Sequence, residues 1–235
     1  MYSFKTKNQT FAFKTESGVF FPTDTSELII SGSRKIIKQP GKLLDLGCGI
    51  GVLGIVLNKL GLTYQPIYAS DLSENAIDLA KQNAKSHGCE MIAKNGALFD
   101  PWGGEKFDII VDDVPGISEE ISAYSSWFPE GVPFAPGPDG TELVCRVVEN
   151  ASEYLEEGGT LIFPVLSLSN VEKIILCAKK NFKYVERVSR KMWALPDQMK
   201  PHMDALRKLE KEKKIFLEEK FGMVLWYTEI YAVRN

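Results

Sequence analysis

The stretch LLDLGCGIGVLG, residues 43–54, constrains the fold more than any other part of the chain. A short apolar run broken by one acid, Asp45, enters a turn with glycine at 47, 49 and 51 and continues into an apolar helical pattern. Glycines at alternate positions permit positive φ and let a ligand approach the backbone closely. Strand, glycine turn and helix in that order make the first half of a unit in which parallel strands are joined by crossover helices.

The rest of the chain continues the alternation. KLLDLG reads as a first buried strand and residues 51–60 as a helix stopped by Gly61. PIYASD is a second strand, after which Ser73 caps a helix whose Ala76, Leu79, Ala80 and Ala84 share one face. EMIAKNG and FDIIVDD are the third and fourth strands. Residues 141–157 read as a helix, TLIFPV as a fifth strand, and residues 170–180 as a helix begun by Ser169 or Asn170. FKYVERVSRKMWALP and MVLWYTEIYAVR supply strands six and seven. The expected fold is a Rossmann-like α/β domain: a seven-stranded, mostly parallel sheet with helices on both faces. One domain is expected over residues 1–235, with an N-terminal segment and helix at 1–40.

Two stretches fall outside the alternation. Residues 114–140 carry five prolines and several glycines together with Tyr124, Trp127, Phe128 and Phe134, and read as a lid loop. Residues 199–220 read as a charged helical insertion before the last strand, with Met203, Leu206, Leu209, Phe216 and Leu217 as a broken apolar stripe.

Composition narrows the function. A formal charge of -3 gives no bulk attraction to a polyanion, so nucleic acid is not expected as a partner. The four cysteines, at 48, 89, 145 and 177, show neither CxxC nor zinc-ligand spacing and read as reduced thiols of a cytoplasmic protein. No metal site, signal core or membrane-spanning run is found. Nothing in the pattern specifies an oligomer.

The tail of the glycine turn, Gly49-Ile50-Gly51-Val52-Leu53-Gly54, also fits the fingerprint of a nicotinamide or flavin site. Asp45 argues against it. A carboxylate below the turn repels a pyrophosphate but accepts hydrogen bonds, directly or through water, from the ammonium of S-adenosylmethionine. Asp71, at the end of the second strand and 20 residues past Gly51, suits ribose hydroxyls in either case.

With Asp71, LLDLGCGIG resembles motif I of class I S-adenosylmethionine-dependent methyltransferases. A narrower resemblance is to the branch containing release-factor glutamine methyltransferases. It rests on GVFFPTDTSELI (18–29), on FDIIVDDVPGISEE (107–120), where that branch carries FDxIxxNPPY, and on FAPGPDGTELVCRVVENASEYLEEGGTLIF (134–163), where that branch has a glycine-aspartate-glycine turn opening the next helix. It covers residues 18–165, and the N-terminal helical domain of the bacterial enzymes is expected to be missing.

The resemblance implies a sheet whose last strand is antiparallel, and S-adenosyl-L-methionine as cofactor, bound by Pro22, Thr25, Asp45, Gly47, Gly49, Gly51, Asp71, Leu72, Ala97, Leu98 and Asp113. The departures fall on the chemistry. Asp113 stands for the asparagine of NPPY, Val114 for its first proline and Gly116 for its aromatic residue, which leaves only Pro115. Glutamine specificity therefore does not carry over, and Ala97 leaves only a backbone contact for the adenine amino group.

The expected catalytic set is Asp113, accepting a hydrogen bond or proton from an amine or hydroxyl, the Val114 carbonyl, Pro115, and Tyr124 closing over the site with Trp127 and Phe128. The neighbouring Asp112 is expected to cap or to face solvent. The acceptor is a small molecule or a protein side chain. Three alternatives stand beside this reading: attack on another cofactor carbon, by cyclisation or aminopropyl transfer; a non-catalytic partner subunit of the same fold; and a nicotinamide oxidoreductase.

Overall fold

The computed structural model describes residues 1–6, 9–125, 127 and 135–235. The Phe128 and Phe134 of the expected lid lie outside the described residues.

The chain opens with a hairpin, β1 (Tyr2–Lys5) and β2 (Thr10–Phe13), not anticipated from the polar N-terminal composition. Its signal is the alternation of Phe4, Phe11 and Phe13, all buried, while the residues between them face outward. Phe13 stacks on His87 at 4.8 Å. Lys14 N–H donates to Asn83 Oδ1 at 2.8 Å, and the Asn83 amide donates to the Lys14 and Ile50 carbonyls, so the strand leaving the hairpin is tied to the glycine turn.

Helix α1 (Asp24–Ile36) starts on a capping box in which Thr23 Oγ1 accepts from the chain after it and Ser26 Oγ accepts from the Thr23 N–H. Acidic Asp24 and Glu27 lie in its first turn and Arg34 and Lys35 in its last, complementing the helix dipole at both ends. There follow β3 (Leu43–Leu46), α2 (Val52–Lys59), β4 (Ile67–Asp71), α3 (Glu74–Ser86), β5 (Met91–Asn95), β6 (Phe107–Asp112), a single turn α4 (Glu119–Ser122), α5 (Glu142–Tyr154), β7 (Leu155–Leu166), α6 (Val171–Asn181), β8 (Tyr184–Ala194), α7 (Met203–Lys211), β9 (Glu218–Lys220) and β10 (Met223–Arg234).

The sheet runs β5-β4-β3-β6-β7-β10-β8, with short β9 paired to β10. The first five of these strands are parallel, and β10 is antiparallel to β7 and β8. This is the expected seven-stranded path with an antiparallel last strand. β3 is buried at every residue because helices cover both faces, which is why its sequence reads as an apolar run. One face packs under α1, α2 and α3, the other under α5 and α6. A third cluster around Ile117, Leu168, Leu206, Leu209 and Trp226 seats α7 against the end of the sheet.

Two boundaries differ from the sequence reading. Helix α5 stops at Tyr154 and β7 begins at Leu155, because Leu155 enters the core under β6. Residues 199–220 are not one helix. A 3-10 segment, Asp197–His202, leads into α7, and β9 closes the stretch. Leu206, Leu209 and Leu217 are buried, whereas Phe216 is half exposed. Among the described residues, no helix is long and apolar enough to cross a membrane.

Candidate active site

Parallel strands leave an open crevice beyond their C-terminal ends, where connections leave for opposite faces of the sheet. Here that crevice is a single cavity over the tips of β3, β4, β5, β6 and β7, closed on its far side by β10.

The glycine turn forms its floor. Gly47 and Gly49 line the cavity with φ of +65° and +50°. A side chain at Gly47 would bring a Cβ to 3.0 Å of Val114 Cγ1, so the turn is flush against the end of β6. Gly47 and Cys48 N–H donate to the Ser70 carbonyl, and Gly49 N–H donates to Asp71 Oδ2 at 2.9 Å. The segment before α1 approaches from above, with the Phe20 carbonyl 3.7 Å from the place of a Cβ on Gly49. Gly51 does not line the cavity. It is the left-handed N-cap of α2, where a Cβ would meet Ile55 and Ala80 at 3.1 and 3.3 Å.

Asp71 sits at the tip of β4 with both oxygens anchored, Oδ2 by Gly49 and Oδ1 by the Ser73 N–H at 2.9 Å. Burial raises its carboxyl above the usual range, and the two backbone donors oppose that rise. Leu72, 53% exposed, together with Ala97 and Leu98 after β5, completes this end. Leu98 takes φ +47°, and its carbonyl accepts from Ser70 Oγ at 2.8 Å. The residues present therefore fit a nucleoside: a cradle free of Cβ atoms, a preset carboxylate at ribose position, and an apolar slot.

Asp45 is placed differently from the expectation. It is fully buried beneath the turn and does not line the cavity. Its Oδ2 accepts from the Gly54 N–H at 2.9 Å, and Oδ1 has no partner among the described residues. The close entry of α2 past Gly54 claims the carboxylate for the helix. Burial, with Asp113 and Asp71 adding to it, pushes its carboxyl up to about 8. Asp112 is likewise buried rather than solvated. Its Oδ1 caps the Val114 N–H at 3.0 Å, Oδ2 is unpartnered among the described residues, and burial pushes its carboxyl up to about 8.

Asp113, Val114 and Pro115 all line the cavity beside the glycine turn. Asp113 is half-buried, and its Oδ2 accepts a 2.6 Å hydrogen bond from Ser26 Oγ on α1. Burial raises its carboxyl to about 7, while the Ser26 bond holds it down. Thr25, buried on the same helix, lines the cavity and meets Thr228 Oγ1 at 3.4 Å. Pro22 precedes the cap and stays outside the lining.

Tyr124 does not close over the site. It stacks on His202 at 4.1 Å, with its hydroxyl 3.4 Å from Glu120, because α4 turns it toward the segment before α7. The aromatic wall comes from Trp127 and from Trp226 on β10, whose rings are 5.4 Å apart, with Ile117, Pro164 and Leu166 beside them. The Trp226 indole N–H is buried with no partner among the described residues. Neither Ser26 nor Trp226 was foreseen. Ser26 was visible as the third residue after Thr23 in a capping pattern, whereas Trp226 lies in an alternating strand with no local motif.

Strand order, glycine cradle and strand-tip carboxylate define the class: the fold is that of the class I S-adenosylmethionine-dependent methyltransferases, and S-adenosyl-L-methionine is the cofactor of that class. Residues 10–124 match the model of the methyltransferase small domain family. Release factor glutamine methyltransferase of Geobacter sulfurreducens is 30% identical over 167 residues, 69% of this chain and 58% of that protein. Ribosomal protein L11 methyltransferase of Thermotoga neapolitana is 31% identical over 112 residues, 46% of this chain and 41% of that protein. The chain thus spans about half the length of these relatives. Among solved structures, a T. thermophilus 16S rRNA methyltransferase in complex with AdoMet and guanosine shares the fold at a TM-score of 0.66 and 14% identity, over 100% of this chain and 50% of that one. A ribosomal protein L11 methylase from Lactobacillus delbrueckii shares it at a TM-score of 0.57 and 18% identity, over 93% of this chain and 83% of that one.

Proposed function

We propose that the chain is an S-adenosylmethionine-dependent methyltransferase acting on an amine or hydroxyl of a small molecule or a protein side chain. The observation that carries this reading is the placing of Asp113: it lines the same cavity as Gly47, Gly49 and Asp71 and keeps a carboxyl near neutrality.

Asp71 would hold the nucleoside through its ribose, with Leu72, Ala97 and Leu98 around the base. Gly47, Gly49 and the Phe20 segment would hold the amino-acid end. The bound cofactor supplies an electrophilic methyl group on a sulfonium. The chain's own tasks are alignment, exclusion of water and removal of a proton where the acceptor carries one. Ser26 fixes one oxygen of Asp113, so the other is presented to an incoming N–H or O–H. Among the described residues no backbone N–H donates to the Val114 carbonyl, which can accept. Ile117, Leu166 and Trp226 form an apolar wall that keeps water from the reacting groups.

The test is direct. Purified protein is titrated with S-adenosylmethionine by calorimetry, and product formation is followed over candidate acceptors. Saturable binding with release of S-adenosylhomocysteine is expected. Release of methylthioadenosine would instead show attack on another carbon of the cofactor, and the absence of binding by folded protein would remove the proposal.

A further inference from the structure

We infer that the acceptor is an amine with an apolar body, held as its ammonium between the carboxylates of α1 and β6 and the indole wall of Trp127 and Trp226. This rests on the transfer reading above and narrows it to one substrate class.

Four observations carry it. Ser26 occupies only Oδ2 of Asp113, and no described residue donates to Oδ1, although the side chain lines the cavity. Asp24, exposed at the first position of α1, lines the same cavity. Beside these carboxylates the cavity is lined by Ile117, Trp127, Pro164, Leu166 and Trp226, all apolar or aromatic, and by Thr25. Arg146, on α5, is the one basic residue among the described lining residues, set against Asp24, Asp71 and Asp113.

Carboxylates and indole faces together favour a cation: the first by direct charge, the second through the ring quadrupole. An aliphatic or aromatic body gains by leaving water for the Leu166 and Trp226 surface. A neutral amide gains from neither charge term, and an anion meets a lining with more carboxylates than cations. An ammonium must shed a proton before its nitrogen can act as a nucleophile, and Asp113, whose carboxyl lies near 7, is placed to take it.

The competing use of these groups is to hold the ammonium of the cofactor itself, and the experiment separates the two. Protein saturated with S-adenosylhomocysteine is titrated near neutral pH with hexylamine, hexanamide and hexanoate by calorimetry. Hexylamine is expected to bind about tenfold more tightly than hexanamide, with hexanoate weakest, since one well-placed charge contact is worth about 1.4 kcal/mol, the equivalent of a factor of ten. Asp113→Asn should erase the preference for the amine. Trp226→Ala should weaken hexylamine about fivefold while Trp226→Phe keeps most of the affinity. The inference is overturned if hexanamide or hexanoate matches hexylamine. It is equally overturned if hexylamine binds only by displacing S-adenosylhomocysteine, which assigns the carboxylates to the cofactor. Failure of S-adenosylhomocysteine itself to bind sinks the transfer reading, whereas its binding without amine preference sinks this inference alone.

Discussion

The tips of β3, β4 and β5 and the tips of β6, β7 and β10 border one cavity but are built on different principles. In the first group the polar work is done by the backbone. Asp71 has both oxygens pinned by amides, and the glycine turn hangs from the Ser70 carbonyl. In the second group the groups that matter are side chains from remote segments. Ser26 comes from α1, Asp113 from the end of β6, Trp127 from the loop after α4 and Trp226 from β10. A backbone-built half resists substitution and keeps one ligand. A half made of side chains converging from four segments can be rebuilt residue by residue, so specificity can change while the cofactor stays.

That contrast breaks most visibly at its two carboxylates. Asp113→Ala is expected to lower turnover by roughly a hundredfold or more, the usual worth of a positioned base, while cofactor affinity stays within about threefold. Asp71→Ala should do the opposite, weakening cofactor binding by at least about thirtyfold through loss of contacts to a charged group. Calorimetry with S-adenosylmethionine beside initial rates separates them, and equal effects on binding from both variants would erase the division. Smaller in effect, Ser26→Ala removes a bond that stabilises the charged form of Asp113. The acid limb of the rate profile should therefore move up by about one pH unit, with Ser26→Thr restoring it.

A fourth expectation concerns stability. Asp45 and Asp112 have folded carboxyls near 8, above any unfolded value, so the native state binds more protons. Stability is then fully present below the ordinary carboxylate range and falls as pH rises toward 8. Asp45→Asn should flatten this fall, raising the melting temperature at the alkaline end by roughly 4 °C relative to wild type. An unchanged slope would show that Asp45 does not ionise across that span.

The same contrast governs what could be read from the chain. Glycine turn and Asp71 are local signals within about thirty residues of one another, and with the strand alternation they carried the parallel sheet and the floor of the cavity, while the antiparallel last strand came from the family resemblance. Asp45 was misplaced because sequence shows that an acid follows a strand's pleat, not that α2 passes near enough for Gly54 to claim it. Tyr124 was assigned to the lid by proximity in sequence, yet the single turn of α4 rotates it onto His202. Trp226, 113 residues beyond Asp113, shares a cavity with it only because β10 inserts between β7 and β8. The N-terminal hairpin was hidden by its brevity, since four residues of alternation are a weak signal against polar neighbours.

Ser26 has one hydroxyl and two duties: it closes the start of α1 and it grips Asp113. Where a helix begins and how acidic the reactive corner is are thereby a single heritable trait. Insertions or deletions just upstream of that helix, tolerated in most loops, would here be felt as a change in working pH before they were felt as misfolding.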